Sequence, residues 1–183
     1  DMDGDGDLDI LGAGQGNDKI YWLENDGADN PSFTTNTALS FTDATGVHAA
    51  DLDGDGDLDI ISSQSDNNKV QWHENDGAAD PSWSAVDIYG HDVSHSGNNT
   101  RDVEVADIDG DGDLDIISGY QSDHLVFHEN DGASNPSFTS QVIATSADGL
   151  ESIFIADFDH DGDLDIATAS QMDHTIAWYE NDG

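Results

Sequence analysis

The chain has 183 residues, 41 of them acidic and only 3 basic, for a formal net charge of −38. That balance argues against nucleic acid or anionic membrane as a partner, because Lys19, Lys69 and Arg101 are the only fixed cations. The absence of cysteine removes disulfides as staples, and no apolar stretch approaches the length needed to cross a membrane.

The first ten residues, Asp1-Met-Asp-Gly-Asp-Gly-Asp-Leu-Asp-Ile10, return as Asp51–Ile60, Asp107–Ile116 and Asp157–Ile166, with a different apolar residue at the second position each time and His160 at the fourth position of the last copy. Five carboxylates in nine residues repel one another, so such a string folds tightly only around a cation. Oxygen ligands on a flexible loop suit a hard ion, and Ca2+ accepts six to eight of them in loose geometry. The spacing therefore predicts up to four Ca2+ loops. The ligand sets are Asp1, Asp3, Asp5, Asp7 and Asp9; Asp51, Asp53, Asp55, Asp57 and Asp59; Asp107, Asp109, Asp111, Asp113 and Asp115; Asp157, Asp159, Asp161, Asp163 and Asp165. Positions one, three and five offer side chains, the glycine at position six allows a sharp turn, position seven offers its carbonyl, and position nine closes the site with one or both oxygens. The fourth copy has His160 where the others have Gly4, Gly54 and Gly110, a spacer position that should leave the site intact.

An EF-hand needs glutamate at loop position twelve, leading into a helix. Here that position holds Gly12, Ser62, Ser118 or Thr168, and apolar β-type residues follow each loop. The loops therefore join strands. After each comes a hairpin: Leu8–Gly14 with Lys19–Glu24, Leu58–Ser63 with Lys69–Glu74, Leu114–Gly119 with His124–Glu129, and Leu164–Ser170 with His174–Glu180. Every second strand runs into Asn-Asp-Gly, strong turn chemistry. Three copies continue through Pro31-Ser-Phe33, Pro81-Ser-Trp83 and Pro136-Ser-Phe138 into a third strand, and a fourth (Gly46–Ala50, Asp102–Ala106, Ser152–Ala156) enters the next loop. No amphipathic helical stretch appears.

Four short antiparallel strands per repeat of 50 to 56 residues is the pattern of a propeller blade. The expected fold is all-β: a single partial β-propeller over 1–183, of about three and a half blades, with Ca2+-binding loops between strands. Its repeats fall at approximately 1–50, 51–106, 107–156 and an incomplete 157–183. Taking strands from each loop onward, the chain reads as three four-stranded repeats and a two-stranded one. Such an arc is expected to continue into further blades or to pair with another copy to close.

The loops, the blade order and the ending Ile-Ala-Trp-Tyr-Glu-Asn-Asp-Gly at 176–183 resemble the FG-GAP/VCBS repeats of bacterial surface proteins, relatives of the integrin α-subunit propeller. The resemblance implies Ca2+ loops on one rim, a secreted or cell-surface setting, and adhesion or ligand binding through a protein or glycan. Extracellular sites of this type bind at about 10⁻⁴ to 10⁻³ M, which also favours a Ca2+-rich compartment.

Some residues invite a second reading. Trp22, Trp72, Phe127 and Trp178 recur at one strand position and are read as packing between blades rather than as sugar platforms; Phe33, Trp83 and Phe138 are read the same way. The rim residues Gln15, Lys19, Gln64, Lys69, Gln121, His124, Gln171 and His174 are read as turn chemistry before ligand contacts. An insertion within Tyr89–Arg101 carries His91 and His95, whose glycine-rich surroundings disfavour zinc but mark a first place to seek a ligand. No catalytic set with recognisable context is found, so the chain is read as non-catalytic. A propeller lectin and a non-catalytic segment of a larger extracellular enzyme are the alternatives.

Overall fold

The computed structural model describes residues 1–40, 42–66, 68–88 and 99–183. His91, His95 and most of the Tyr89–Arg101 insertion lie outside the described residues.

Among the described residues, fourteen strands form four antiparallel sheets in chain order. The first sheet is β1 (Ile10–Gly14), β2 (Lys19–Asn25) and β3 (Phe33–Ser40). The second is β4 (Ala44–Ala50), β5 (Asp59–Gln64), β6 (Lys69–Asn75) and β7 (Trp83–Ile88). The third is β8 (Thr100–Ala106), β9 (Asp115–Tyr120), β10 (Ser122–Asn130) and β11 (Phe138–Asp148). The last is β12 (Leu150–Ala156), β13 (Asp165–Ser170) and β14 (Thr175–Tyr179). The helical element among the described residues is one 3-10 turn, Gln15–Asn17.

Sheet and sequence repeat are offset by one strand. In the second, third and fourth acidic loops the entering strand pairs with the strand leaving, as in β4 with β5, so the loop sits inside a sheet rather than at its start. The sheets hold three, four, four and three strands.

Each sheet is meandering, and neighbouring sheets stack face to face. The apolar rows on β2, β6 and β10 are buried against the strands of the following sheet. Between sheets one and two lie Ile20, Trp22 and Met2 against Ile60, Leu58 and Trp83. Between two and three lie Val70, Trp72 and Leu52 against Ile116, Val103 and Phe138. Leu125, Ile108 and Ile117 meet Ile153 and Ile166 between three and four. The first strands β4, β8 and β12 abut one another. There Thr45 Oγ1 donates to the Thr100 carbonyl at 2.8 Å, and Asp102 Oδ2 accepts the Ile153 N–H at 2.8 Å. Trp22 and Trp72 are buried between sheets, Phe127, Trp83 and Phe138 are partly buried there, and Trp22 meets Trp83 edge-on with centroids 5.9 Å apart. Trp178 and Phe33, expected to pack in the same way, are exposed because no sheet of this structure covers them.

Candidate metal centres in the four acidic loops

The four loops share one hydrogen-bond scheme. In the second, Asp53 accepts from the Asp55 N–H at 3.2 Å, Asp55 from the Asp57 N–H at 3.0 Å, and Asp51 Oδ2 from the Gly56 N–H at 3.0 Å. The other three repeat these bonds. The sixth-position glycines have φ between +99° and +107°, a left-handed backbone that an L side chain rarely adopts. His160 takes a left-handed φ of +69° in place of glycine, and its N–H donates to Asp157 Oδ1 at 2.6 Å.

These turns bring carboxylates together. One oxygen each from Asp1, Asp3 and Asp5 lies within 4.8 Å of the others, and so do oxygens of Asp51, Asp53 and Asp55. In the third and fourth loops the equivalent groups are Asp107, Asp109 and Asp115, and Asp157, Asp159 and Asp165. The oxygens Asp1 Oδ1, Asp51 Oδ1 and Asp107 Oδ1 are buried with no hydrogen-bond partner among the described residues. A buried carboxylate oxygen without a donor is costly. Three repeats leaving the same atom bare, beside other carboxylates, fit a hard divalent cation. Desolvation and neighbouring carboxylates push Asp3, Asp53 and Asp159 above the ordinary range, despite a backbone N–H on each.

Positions seven and nine play parts that the spacing alone does not reveal. The Asp7, Asp57 and Asp113 side chains lie against Gly27, Gly77 and Gly132 of the Asn-Asp-Gly turns, so closely that a β-carbon on those glycines would collide with them. Their carboxylates brace the turn. At position nine both oxygens already accept backbone N–H groups. Asp59 Oδ1 takes Asn75 at 2.8 Å, while Oδ2 takes Leu52 at 3.1 Å and the Trp72 indole at 2.8 Å. Asp9, Asp115 and Asp165 are fastened by the matching backbone pairs. The ninth aspartate is therefore first a staple between loop and hairpin, and only its remaining lone pairs face the cluster. Burial pushes Asp59 and Asp115 up to about 6.

A further link was not legible in the motif. Asn75 Nδ2 donates to the Leu58 carbonyl of its own loop and, at 3.2 Å, to the Met2 carbonyl of the preceding one. Asn130 bridges to Leu52 and Asn181 to Ile108 in the same way. Each loop is thus tied to the next through the Asn of Glu-Asn-Asp-Gly, a signal that its recurrence beside the turn could have given.

On the opposite rim Gln64 donates to the Thr42 carbonyl at 2.7 Å and Gln121 accepts from Asn99 at 3.0 Å, which holds the connections between sheets. Asp173 accepts from Thr175, in keeping with turn chemistry there. Two Ser–His pairs, Ser62 with His73 at 2.8 Å and Ser118 with His128 at 2.7 Å, sit wholly inside the sheet stack. Burial drives His128 down to about 4, so it is neutral near pH 7.

Among the described residues no helix is long and apolar enough to cross a membrane. No curated protein sequence matches the chain. A similar solved structure is a lectin of Agrocybe aegerita, studied for its specific recognition of non-reducing terminal N-acetylglucosamine. The two superpose with a TM-score of 0.61 at 21% identity, over 92% of this chain and 45% of that one. The likeness is one of fold, a propeller of which this chain spans less than half the length. The model of the FG-GAP-like repeat matches three times, at residues 1–62, 51–118 and 109–168, across the loops and sheets described above. The chain accordingly belongs to the FG-GAP-like repeat family, and its sheets are the blades of a β-propeller.

Proposed function

We propose that this chain is a Ca2+-stabilised, non-catalytic propeller module of a secreted or cell-surface protein, serving adhesion or the binding of a protein or glycan. The observation that carries the Ca2+ assignment is the buried, partnerless first-position oxygen in three loops. Bound there, the cation neutralises carboxylates that otherwise repel and completes their unfilled lone pairs. Asp1, Asp51, Asp107 and Asp157 hold it from one side. Asp3, Asp53, Asp109 and Asp159 hold it from the other, with fifth- or ninth-position carboxylates completing the set. The high charge left after filling keeps nucleic acid and acidic membranes away.

The test is calorimetric titration of chelator-treated protein with Ca2+, alongside Mg2+ and Zn2+. Up to four Ca2+ sites are expected, with one fewer in Asp51→Asn. No heat with Ca2+, or tighter binding of Zn2+, overturns the assignment.

A glycan is the second reading, favoured by the fold neighbour's sugar recognition. Trp22 and Trp72 are buried and unavailable for stacking. A glycan array in Ca2+ and in chelator separates glycan from protein ligands.

A further inference from the structure

The ninth-position carboxylates and the asparagines of the Glu-Asn-Asp-Gly turns join into one hydrogen-bonded chain along the rim. Asp165 Oδ1 accepts the Asn181 N–H at 2.8 Å, and Asn181 Nδ2 donates to the Ile108 carbonyl at 2.9 Å. The Ile108 N–H donates to Asp115 Oδ2 at 3.0 Å, and Asp115 Oδ1 accepts the Asn130 N–H at 2.9 Å. Asn130 Nδ2 reaches the Leu52 carbonyl at 3.1 Å, and the Leu52 N–H donates to Asp59 Oδ2 at 3.1 Å. Asp59 Oδ1, Asn75 and Met2 repeat these steps as far as Asp9 Oδ2. The chain of bonds thus passes through all four acidic loops.

Each crossing ties the closing end of one loop to the opening end of the loop before it. Leu52 stands between Asp51 and Asp53, the two aspartates assigned to opposite sides of the cation. Asn130 is fixed from its own loop by Asp115 and by the Leu114 carbonyl, which its Nδ2 also reaches, at 3.0 Å. Closing the third loop around an ion orders Asp115 and Leu114, and with them the Asn130 amide. That amide holds the Leu52 carbonyl, so Asp51 and Asp53 are set at their spacing before an ion arrives. Less ordering is then left for the second ion to bring about.

We propose that this chain of bonds couples the loops, so that Ca2+ binds adjacent loops cooperatively, with Asn75, Asn130 and Asn181 as the positioning residues. The coupling rests on the Ca2+ assignment above and adds regulation to it. By linkage it acts equally in both directions along the rim.

The test is a Ca2+ titration of the chelator-treated full chain by NMR, in a stabilising osmolyte that keeps the metal-free fold populated. The Gly56 and Gly112 amides, which donate to Asp51 and Asp107, report the second and third loops separately. Asp107→Asn with Asp109→Asn disables the third loop. It also removes two negative charges, the number that a bound Ca2+ cancels, so the field at the second loop matches that of a filled neighbour. This variant is expected to weaken Ca2+ at the second loop about fivefold, the scale of one hydrogen bond between loops. In an Asn130→Ala background the same disablement should leave the second loop unchanged. Val103→Ala loosens the same seam without touching the chain of bonds, and should keep the fivefold effect. Asp51→Asn with Asp53→Asn should weaken the third loop by the same factor. The proposal falls if the second loop binds equally well with the third disabled, or if Val103→Ala removes the coupling as Asn130→Ala does. Absence of Ca2+ binding at every loop overturns the assignment itself, and the coupling with it.

Discussion

The two inner sheets and the two outer ones carry equivalent apolar positions in the same register, yet the exposure of several of them differs sharply. Trp72 on β6 is 1% exposed and Trp178, its counterpart on β14, is 51% exposed. For Val70 and Ile176 the figures are 0% and 87%, and for Ile60 and Ile10 they are 0% and 47%. Nothing within a sheet accounts for this, since β5 pairs β6 just as β13 pairs β14. The difference is the neighbour. A blade of this sequence has no core of its own, because its apolar rows become interior only when the next blade covers them, as in other stacked repeats. Stability is therefore a property of seams.

Calcium removal tests that view with the largest expected effect. On the proposed assignment, each filled loop would contribute about 2.7 kcal/mol at a hundredfold excess over its Kd. Emptying four exceeds the whole stability of many domains, roughly 5–15 kcal/mol. Chelation is expected to abolish the cooperative thermal transition and most strand ellipticity. Hydrogen exchange on the way should release β1–β2 and β13–β14 before β5–β6 and β9–β10. A melting curve unchanged by chelator would break the link between loops and blades.

Next in size is the tryptophan pair. Trp72→Ala removes a ring packed between sheets and an indole bond to Asp59, and should cost about 3–5 kcal/mol. Trp178→Ala, with half the ring in solvent, should cost under about 1 kcal/mol. Urea melts in Ca2+ give both numbers, and equal costs would mean that position rather than neighbour sets the energy.

Much of this architecture was legible in the chain because repetition exposes it. Four copies of an aspartate-every-second-residue string beside β-type runs point to loops joining strands, and the spacing of Trp22, Trp72 and Phe127 marks a seam. Two things were not legible. One is the sheet boundary: the sequence repeat begins at Asp51 or Asp107, yet the pairing of β4 with β5 and β8 with β9 begins a strand earlier. A repeat has no intrinsic starting point, and only hydrogen bonding across the loop sets one. The other is the division of labour among the aspartates. Position nine looks like one more ligand, but two backbone N–H groups converge on it from the loop and from residue Asn75 or Asn130, a convergence that exists only once the hairpin has formed.

The asparagine links come next. Asn130→Ala deletes bonds to the Leu114 carbonyl and, across the seam, to the Leu52 carbonyl, for about 2 kcal/mol in all. Asn25, which bonds only the Leu8 carbonyl through its Nδ2, should cost about half as much when replaced by alanine. A double-mutant cycle pairing Asn130→Ala with Trp72→Ala should show coupling, since both act on one seam, whereas Asn25→Ala with Trp72→Ala should add independently.

The smallest effect is in proton binding, and it sharpens the comparison at single residues. In the inner loops burial outweighs hydrogen bonding and raises Asp59 and Asp115 to about 6. In the outer loops the balance reverses. Burial of Asp9 is outweighed by the Asn25 and Met2 N–H groups, and for Asp165 the Asn181 N–H is the leading influence, so both lie below the ordinary value. A carboxyl raised in the fold stabilises it fully below its unfolded value near 3.8, and that contribution is lost as pH rises through about 6. A depressed carboxyl does the opposite, stabilising above that value and losing the contribution as pH falls through its folded one. Buried neutral His128 adds stability that is lost as pH falls from 6.5 towards 4, so a bulk melt blends opposing slopes. Carboxyl-carbon NMR in chelator, in a stabilising osmolyte at low temperature that keeps the metal-free fold populated, separates them. Asp59 and Asp115 should titrate near 6 and Asp9 and Asp165 below 3.8, and added Ca2+ should pull the inner pair down to join the outer one. If all four titrate together without Ca2+, the inner seams do not desolvate their loops, and the contrast between inner and outer blades is confined to apolar packing.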